Sequence, residues 1–335
     1  MLGRWLQQQW FQRRLTPALW LLMPLFGPLC LLYLLLSRRR RQRCHAQRLP
    51  VPVIVVGNLT VGGAGKTPLT LWLAGQLQTR GWQPGIVSRG HGGQTAQPRP
   101  VLAASTPAEV GDEPLLLARR SGRPVWVGQQ RAAAAAALLA RHPEVDLLLC
   151  DDGLQHHALA RDVELVVIDR RGLGNGWCLP LGPLRETPAR LPTVDALIGH
   201  DFDARGLASG VPDFAMRLQA TDFYRLDAPA QRCTAADLLD RRLYALAGIG
   251  DPERFFNTLR GLGLSFTARP FADHQAYVAA DLAFAADGVL LMTEKDAVKC
   301  AGLTTGEAWV LPVEADVSPA LIDLILEKLR GCQAA

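Results

Sequence analysis

Lys66 and Thr67 close the stretch GNLTVGGAGKTP (57–68), and a Gly-Lys-Thr triplet behind a glycine-rich run offers the chemistry of phosphate binding. The backbone N–H groups of Gly62, Gly63, Ala64 and Gly65 can turn inward on phosphate oxygens, and a helix that follows adds its positive end. Lys66 would reach the terminal phosphates of a nucleoside triphosphate, and the Thr67 hydroxyl would meet Mg²⁺. The phosphate-loop pattern G-x-x-x-x-G-K-[ST] asks for glycine where this chain carries Thr60. The residues therefore leave two readings: a phosphate loop with one letter changed, or a glycine turn ahead of a solvated lysine. Composition favours the first. Of thirty-six basic residues only Lys66, Lys295, Lys299 and Lys328 are lysines, so a chain that otherwise uses arginine places a compact point charge at this position.

A second part of such a site is an acid at the end of a buried strand. DLLLCDDG (146–153) supplies it as Asp151 and Asp152, of which at least one would help hold Mg²⁺ while the other is free to cap the next helix. The chain lacks the N-K-x-D motif that reads guanine and the L-S-G-G-Q signature of transporters. Seven cysteines stand singly with no C-x-x-C pair, which fits a reducing compartment without a disulfide framework.

The elements that must position these residues are legible as alternation. Short apolar runs at 51–57, 85–88, 124–128, 146–150, 164–169 and 195–199 read as strands buried on both faces. Helical patterns at 68–80 and 130–141 fall between them. That order predicts an α/β fold, a phosphate-loop type parallel sheet with helices on both faces. Residues 206–240 read as a linker with extended segments. A smaller α/β domain is expected over 241–335, with Asp251 capping a helix and a closing helix at 318–330. The core domain then spans 49–205, behind a membrane-associated helix and basic arm at 1–48.

That arm carries a sharp charge asymmetry. Residues 1–108 hold thirteen Arg or Lys and no acid, whereas the remainder holds twenty-three basic and thirty-one acidic residues. Residues 17–36 contain no charge and are about long enough to cross a bilayer, although Pro24, Gly27 and Pro28 would kink such a helix. A helix lying in one leaflet is the alternative. Arginines 38–41, 43 and 48 outnumber Arg4, Arg13 and Arg14 on the other side, which puts the main body in the cytoplasm. The arm is expected to meet lipid headgroups, with no nucleic acid as partner.

GNLTVGGAGKTP, SRGHGG (88–93), GDEP (111–114), DDGLQH (151–156), NGWCLPLGPLRE (175–186), ADHQ (272–275) and MTEKDAVKC (292–300) together resemble the tetraacyldisaccharide 4′-kinase (lipid A 4′-kinase) family, over about residues 16–315. In that family the loop glycine is replaced by Ser or Thr, so Thr60 is normal there. The resemblance implies transfer of the γ-phosphate of ATP, with Mg²⁺, to the 4′-hydroxyl of a tetraacylated glucosamine disaccharide 1-phosphate. It implies two α/β domains meeting at a cleft, and an N-terminal helix at the cytoplasmic face of a Gram-negative inner membrane. No obligate protein partner is implied. By the same resemblance Asp112 is the catalytic base, paired with His274, and Glu113 beside it is a candidate for the metal's surroundings. Read without the family, Asp112 would serve equally as a helix cap, and Asp273 as another. Arg89, Arg185 and, less directly, Arg131 either hold a substrate phosphate or lie on the surface. His91 stands where many relatives have an aromatic such as Tyr. Two rivals remain: a membrane-associated phosphate-loop ATPase acting as a switch or motor, which leaves GDEP and ADHQ without work, and a nucleotide-binding scaffold without catalysis.

Overall fold

The structure is a computed structural model that describes residues 2–304 and 306–333. Its first eight strands are Val53–Gly57 (β1), Pro84–Ser88 (β2), Arg99–Pro100 (β3), Val125–Val127 (β4), Leu147–Asp151 (β5), Val163–Asp169 (β6), Ala196–His200 (β7) and Asp213–Ala220 (β8), and all but β3 and β8 follow the apolar runs. Beyond them come Phe223–Arg225 (β9), Arg232–Cys233 (β10), Leu243–Ala247 (β11), Phe266–Pro270 (β12), Val289–Thr293 (β13), Ala308–Leu311 (β14) and Val313–Val317 (β15). They form a nine-stranded sheet in the order β15-β8-β7-β6-β1-β5-β2-β4-β3 and a six-stranded sheet in the order β10-β9-β14-β13-β11-β12.

From β8 to β4 the larger sheet is parallel throughout. A parallel sheet must be covered on both faces, and successive residues of β1 divide accordingly. Val53 and Val55 pack with Leu154, Leu138 and Cys30 on one side, whereas Ile54 and Val56 pack with Leu69, Leu73 and Leu77 of the helix Lys66–Gln78 on the other. Each such side chain contributes about 1.5–3 kcal/mol by leaving water. Strands β2 and β4 lie on one side of β1, while β6, β7 and β8 lie on the other. The order thus reverses around β1, and the carboxyl ends of β1 and β5 open into the crevice where such sheets bind ligands. The smaller sheet repeats the two-faced pattern, with Leu243, Ala245 and Ala247 on one face and Tyr244 and Leu246 on the other.

Four expectations need correction. The stretch expected as a linker with extended segments does hold such segments, but they are built into both sheets: β8 pairs in parallel with β7, and β9 and β10 join the smaller sheet. The chain also does not stay with the smaller sheet after residue 241. β15 pairs antiparallel with β8, and the helix Ala320–Gln333 packs Leu321, Ile322 and Ile325 under the larger sheet. The chain therefore crosses between sheets twice, side by side, where Thr221 N–H donates to Pro312 O at 3.2 Å. Asp251 does sit at the N-cap of the helix Pro252–Gly261, but it caps no backbone N–H; its carboxylate engages Arg170.

The fourth correction concerns the apolar run 17–36. It divides at Leu22 into the helices Pro17–Leu21 and Met23–Arg43, because Pro24 starts a new helix more readily than it continues one. The second helix spends its last turns on arginines. Among the described residues no helix is long and apolar enough to cross a membrane. One face of the pair is seated on the body through Leu19, Met23, Phe26, Cys30, Tyr33 and Leu34. The other leaves Trp20, Leu21, Leu25, Leu29, Leu32 and Leu36 exposed.

Candidate active site

The glycine-rich loop leaves β1 and enters the helix Lys66–Gln78, which is the strand–turn–helix order that the Gly-Lys-Thr triplet needs. Gly62 and Gly65 hold φ of +92° and +94°, a left-handed backbone that side chains rarely adopt. Gly65 has a second reason: a Cβ there would collide with the His200 ring, whose Nδ1 lies 2.8 Å from Ala64 O. Inside the turn sits Asn58, fully buried. Its amide N–H₂ donates to Thr60 O at 2.8 Å, to Thr60 Oγ1 at 3.3 Å and to Gly62 O at 3.4 Å. Thr60 therefore supplies an acceptor that a glycine could not, which gives the departure from the pattern a physical reason.

Lys66 is buried and directed by two acceptors, donating to Asn58 Oδ1 at 3.0 Å and pairing with Asp152 Oδ1 at 3.3 Å. Asp152 also receives Arg185 Nη1 at 3.0 Å. Burial works against its charge, but Lys66 and Arg185 outweigh it and hold the carboxyl well below the usual carboxylate range. Its neighbour behaves oppositely. Asp151, at the end of β5, is pushed up to about 7, first by burial and then by the nearby Glu113 charge. Thr70 donates to its Oδ1 at 3.2 Å, while Oδ2 is buried without any partner. A buried oxygen without a donor, near the Lys66 charge, suits a divalent cation delivered with a triphosphate. Among the described residues no group of three or more His, Cys, Asp or Glu side chains is arranged to hold a metal ion by itself, so such an ion would depend on its phosphates for further ligands.

Asp112 is the first residue of the helix Asp112–Ser121 and is buried; its Oδ1 accepts the Glu113 N–H at 3.0 Å, but the N-cap position belongs to Gly111, so Asp112 is not the cap that the sequence allowed. The same carboxylate meets His274 Nδ1 at 3.1 Å from both oxygens, although the histidine follows β12 of the other sheet. Burial opposes ionisation of Asp112, but the His274 hydrogen bond and the Lys295 charge lower its pKa overall. His274 is raised, chiefly by Asp112. Both directions describe a carboxylate that accepts a hydrogen bond from the imidazole Nδ1–H. Of the three non-glycine residues with positive φ among those described, Asp152 and His274 belong to this site. Such backbone settings persist only where surroundings enforce them.

His91 lies edge-on to His274 with ring centroids 5.0 Å apart, so the substitution at that position touches the Asp112 pair directly. Among the arginines, Arg131 is buried and donates to Asp152 O at 3.3 Å, with its Nε unpartnered. Arg185 holds Asp152 and Gln155 Oε1; Arg89 is exposed, and burial first, with the Arg89 charge as a lesser cause, lowers the pKa of Arg131. Arg131 and Arg185 thus both bond to the turn 152–155.

Three residues went unpicked by the sequence reading. Asn58 and Gln155 carry no distinctive spacing; Gln155 donates to Asn58 O at 3.2 Å and to Glu186 Oε1 at 3.1 Å. Lys295 pairs with Glu113 Oε1 at 3.2 Å and Asp273 Oδ1 at 3.1 Å. The scarcity of lysine that drew notice to Lys66 applied to it equally.

Comparison with known proteins adds to this geometry. A family model described as tetraacyldisaccharide-1-P 4′-kinase matches residues 19–330. The chain is 66% identical to the tetraacyldisaccharide 4′-kinase of Dechloromonas aromatica, with 100% of each chain covered. It is 50% identical to that of an Azoarcus species over 91% of this chain and 92% of the relative. The structure also resembles that of LpxK from Aquifex aeolicus in complex with ATP, with a TM-score of 0.76, 27% identity, and coverage of 90% of this chain and 98% of the other.

Proposed function

The chain belongs to the tetraacyldisaccharide-1-P 4′-kinase family, and we propose that it moves the γ-phosphoryl group of ATP to the 4′-hydroxyl of a tetraacylated glucosamine disaccharide 1-phosphate in lipid A biosynthesis. The observation that carries the mechanism is the Asp112 carboxylate, buried, ionised and hydrogen-bonded by a histidine from the opposite sheet. A sugar hydroxyl is a weak nucleophile, and a carboxylate poised this way accepts its proton as the phosphoryl group passes. His274 orients that carboxylate and stabilises its charge; because it comes from the other sheet, the pair is complete only when the two halves are together.

The loop 60–67 cradles the triphosphate through its backbone N–H groups, and Lys66, steadied by Asn58 and Asp152, lies against the β- and γ-phosphates. Thr67, Asp151 and Glu113 would hold Mg²⁺, whose charge neutralises the phosphate oxygens. Asp152 is better employed holding Lys66 and Arg185, since both its oxygens are engaged. Arg89, Arg131 and Arg185 form the positive side of the cleft, suited to an anionic sugar phosphate. The exposed apolar face of 20–36, ending in Arg38–Arg41 and Arg43, supports attachment within one leaflet with the arginines at the headgroups, at the cytoplasmic face of the inner membrane.

The test is an assay of the purified full chain with γ-labelled ATP and the acylated disaccharide 1-phosphate in detergent micelles. Label on the 4′-oxygen of the lipid is the expected result. Label released only as inorganic phosphate would return the protein to the switch or motor ATPases.

A further inference from the structure

Lys295 is placed with unusual firmness for a lysine. It is the second residue of the helix Glu294–Cys300, which Thr293 caps by accepting the Asp296 N–H at 3.1 Å. Its sequence neighbours are pinned on either side. Glu294 pairs with Arg120 at 2.5 Å, on the same helix that begins with Asp112. Asp296 is fully buried and takes Tyr277 Oη at 2.8 Å and the Gly248 N–H at 3.1 Å. Val298 packs on Val110, Leu115 and Val127, which fastens this helix to the other half of the molecule. With both neighbours tied, the Lys295 side chain has one direction left, toward the Asp112 pair.

There it meets four groups at once. Nζ lies 3.2 Å from Glu113 Oε1, 3.1 Å from Asp273 Oδ1, 3.8 Å from Asp112 Oδ2 and 3.4 Å from His274 Nε2. An ammonium group has three hydrogens to give and no lone pair to offer. Toward that ammonium at 3.4 Å, nearer than Asp273 Oδ2 at 3.8 Å, His274 Nε2 can only accept, which places the ring proton on Nδ1, where both Asp112 oxygens wait at 3.1 Å. Two features of the pair, the tautomer and the angle of the ring, follow from one lysine.

We propose that Lys295 is a positioning residue for phosphoryl transfer, fixing His274 as the Nδ1–H tautomer and binding the Asp112 side of the cleft to the His274 side. The inference rests on the kinase reading above, and deepens it by assigning a residue that sets the geometry of the base without touching substrate.

Two variants of the full chain test it. Lys295→Met fills the space without donors, and Lys295→Arg keeps charge and donors on a planar head. In Lys295→Met, kcat for label transfer should fall by about tenfold to a hundredfold, with KM for ATP within about twofold. Lys295→Arg should keep a larger share of kcat. Ring nitrogen chemical shifts of ¹⁵N-labelled His274 should report a protonated Nδ1 and a bare Nε2 in the parent, and a mixture of tautomers in Lys295→Met. Unchanged nitrogen shifts in Lys295→Met would overturn the proposal, and so would a kcat within twofold of the parent. If Lys295→Met does not fold, Lys295→Arg carries the same measurements, and parent-like kcat together with altered tautomer there would also overturn it. Should the parent itself put no label on lipid, the kinase reading fails, while the nitrogen shifts still decide whether Lys295 sets the tautomer.

Discussion

Asp151 and Asp152 are adjacent letters with opposite chemistry. One is pushed up toward neutrality by burial with a free oxygen; the other is held ionised by Lys66 and Arg185. Sequence reading marked both as metal candidates because the spacing of an acid after a buried strand is local. It could not divide their duties, which depend on Arg185 and Glu113 arriving from distant segments. The same limit explains Asn58: a lone asparagine after a strand has no signature, although it brackets the loop from inside. Gly65 was legible as part of a pattern, and the structure adds why no other residue fits. Gly65→Ala should lose about 1–3 kcal/mol of stability from its left-handed backbone and the displaced His200 ring. A lowered melting temperature together with weakened ATP binding is the expected result; a parent-like protein on both counts would show the loop to be more plastic than its contacts imply.

Among the elements, the strands of the larger sheet were the most readable, because parallel strands covered on both faces are continuous apolar runs. β8 falls within the extended segments expected at 206–240, but its place in the larger sheet is not legible, for the opposite reason. Its burial alternates and its antiparallel partner β15 is nearly a hundred residues away, so no local signal marks it. The N-terminal run shows a further limit. Its apolar length was plain, but hydropathy alone does not say that half of its side chains are spent on the body. Tyr33 Oη donates to Arg185 O at 2.8 Å and Cys30 Sγ to Cys178 O at 3.4 Å, so the buried face of the helix Met23–Arg43 rests on the segment that carries Arg185. Leaflet attachment then belongs to the exposed face. Replacing Leu25, Leu29, Leu32 and Leu36 together by Ser should move the protein from membranes to the supernatant on sedimentation, because each leucine surrenders about 1.5–3 kcal/mol of apolar transfer. Activity on detergent-dispersed substrate should stay within about twofold. Unchanged sedimentation would place the attachment elsewhere.

At the scale of the whole molecule, the catalytic arrangement belongs to neither sheet. Lys66, Asp112 and Asp151 stand on the nine-stranded side, and Asp273, His274 and Lys295 on the six-stranded side. The two halves are joined where the chain crosses twice beside Thr221 and Pro312. Motifs 162 positions apart in sequence could be recognised one by one, yet only the fold brings Asp112 and His274 into contact. The most direct test of the account is the single-turnover rate of phosphoryl transfer from bound ATP to the disaccharide lipid in Asp112→Asn, His274→Ala and the double variant. The account predicts a loss of about a hundredfold or more for Asp112→Asn with ATP affinity nearly unchanged. It also predicts a double variant little slower than Asp112→Asn alone, since groups that act as a unit are not additive. Parent-like transfer by Asp112→Asn, or losses that multiply independently in the double variant, would contradict it.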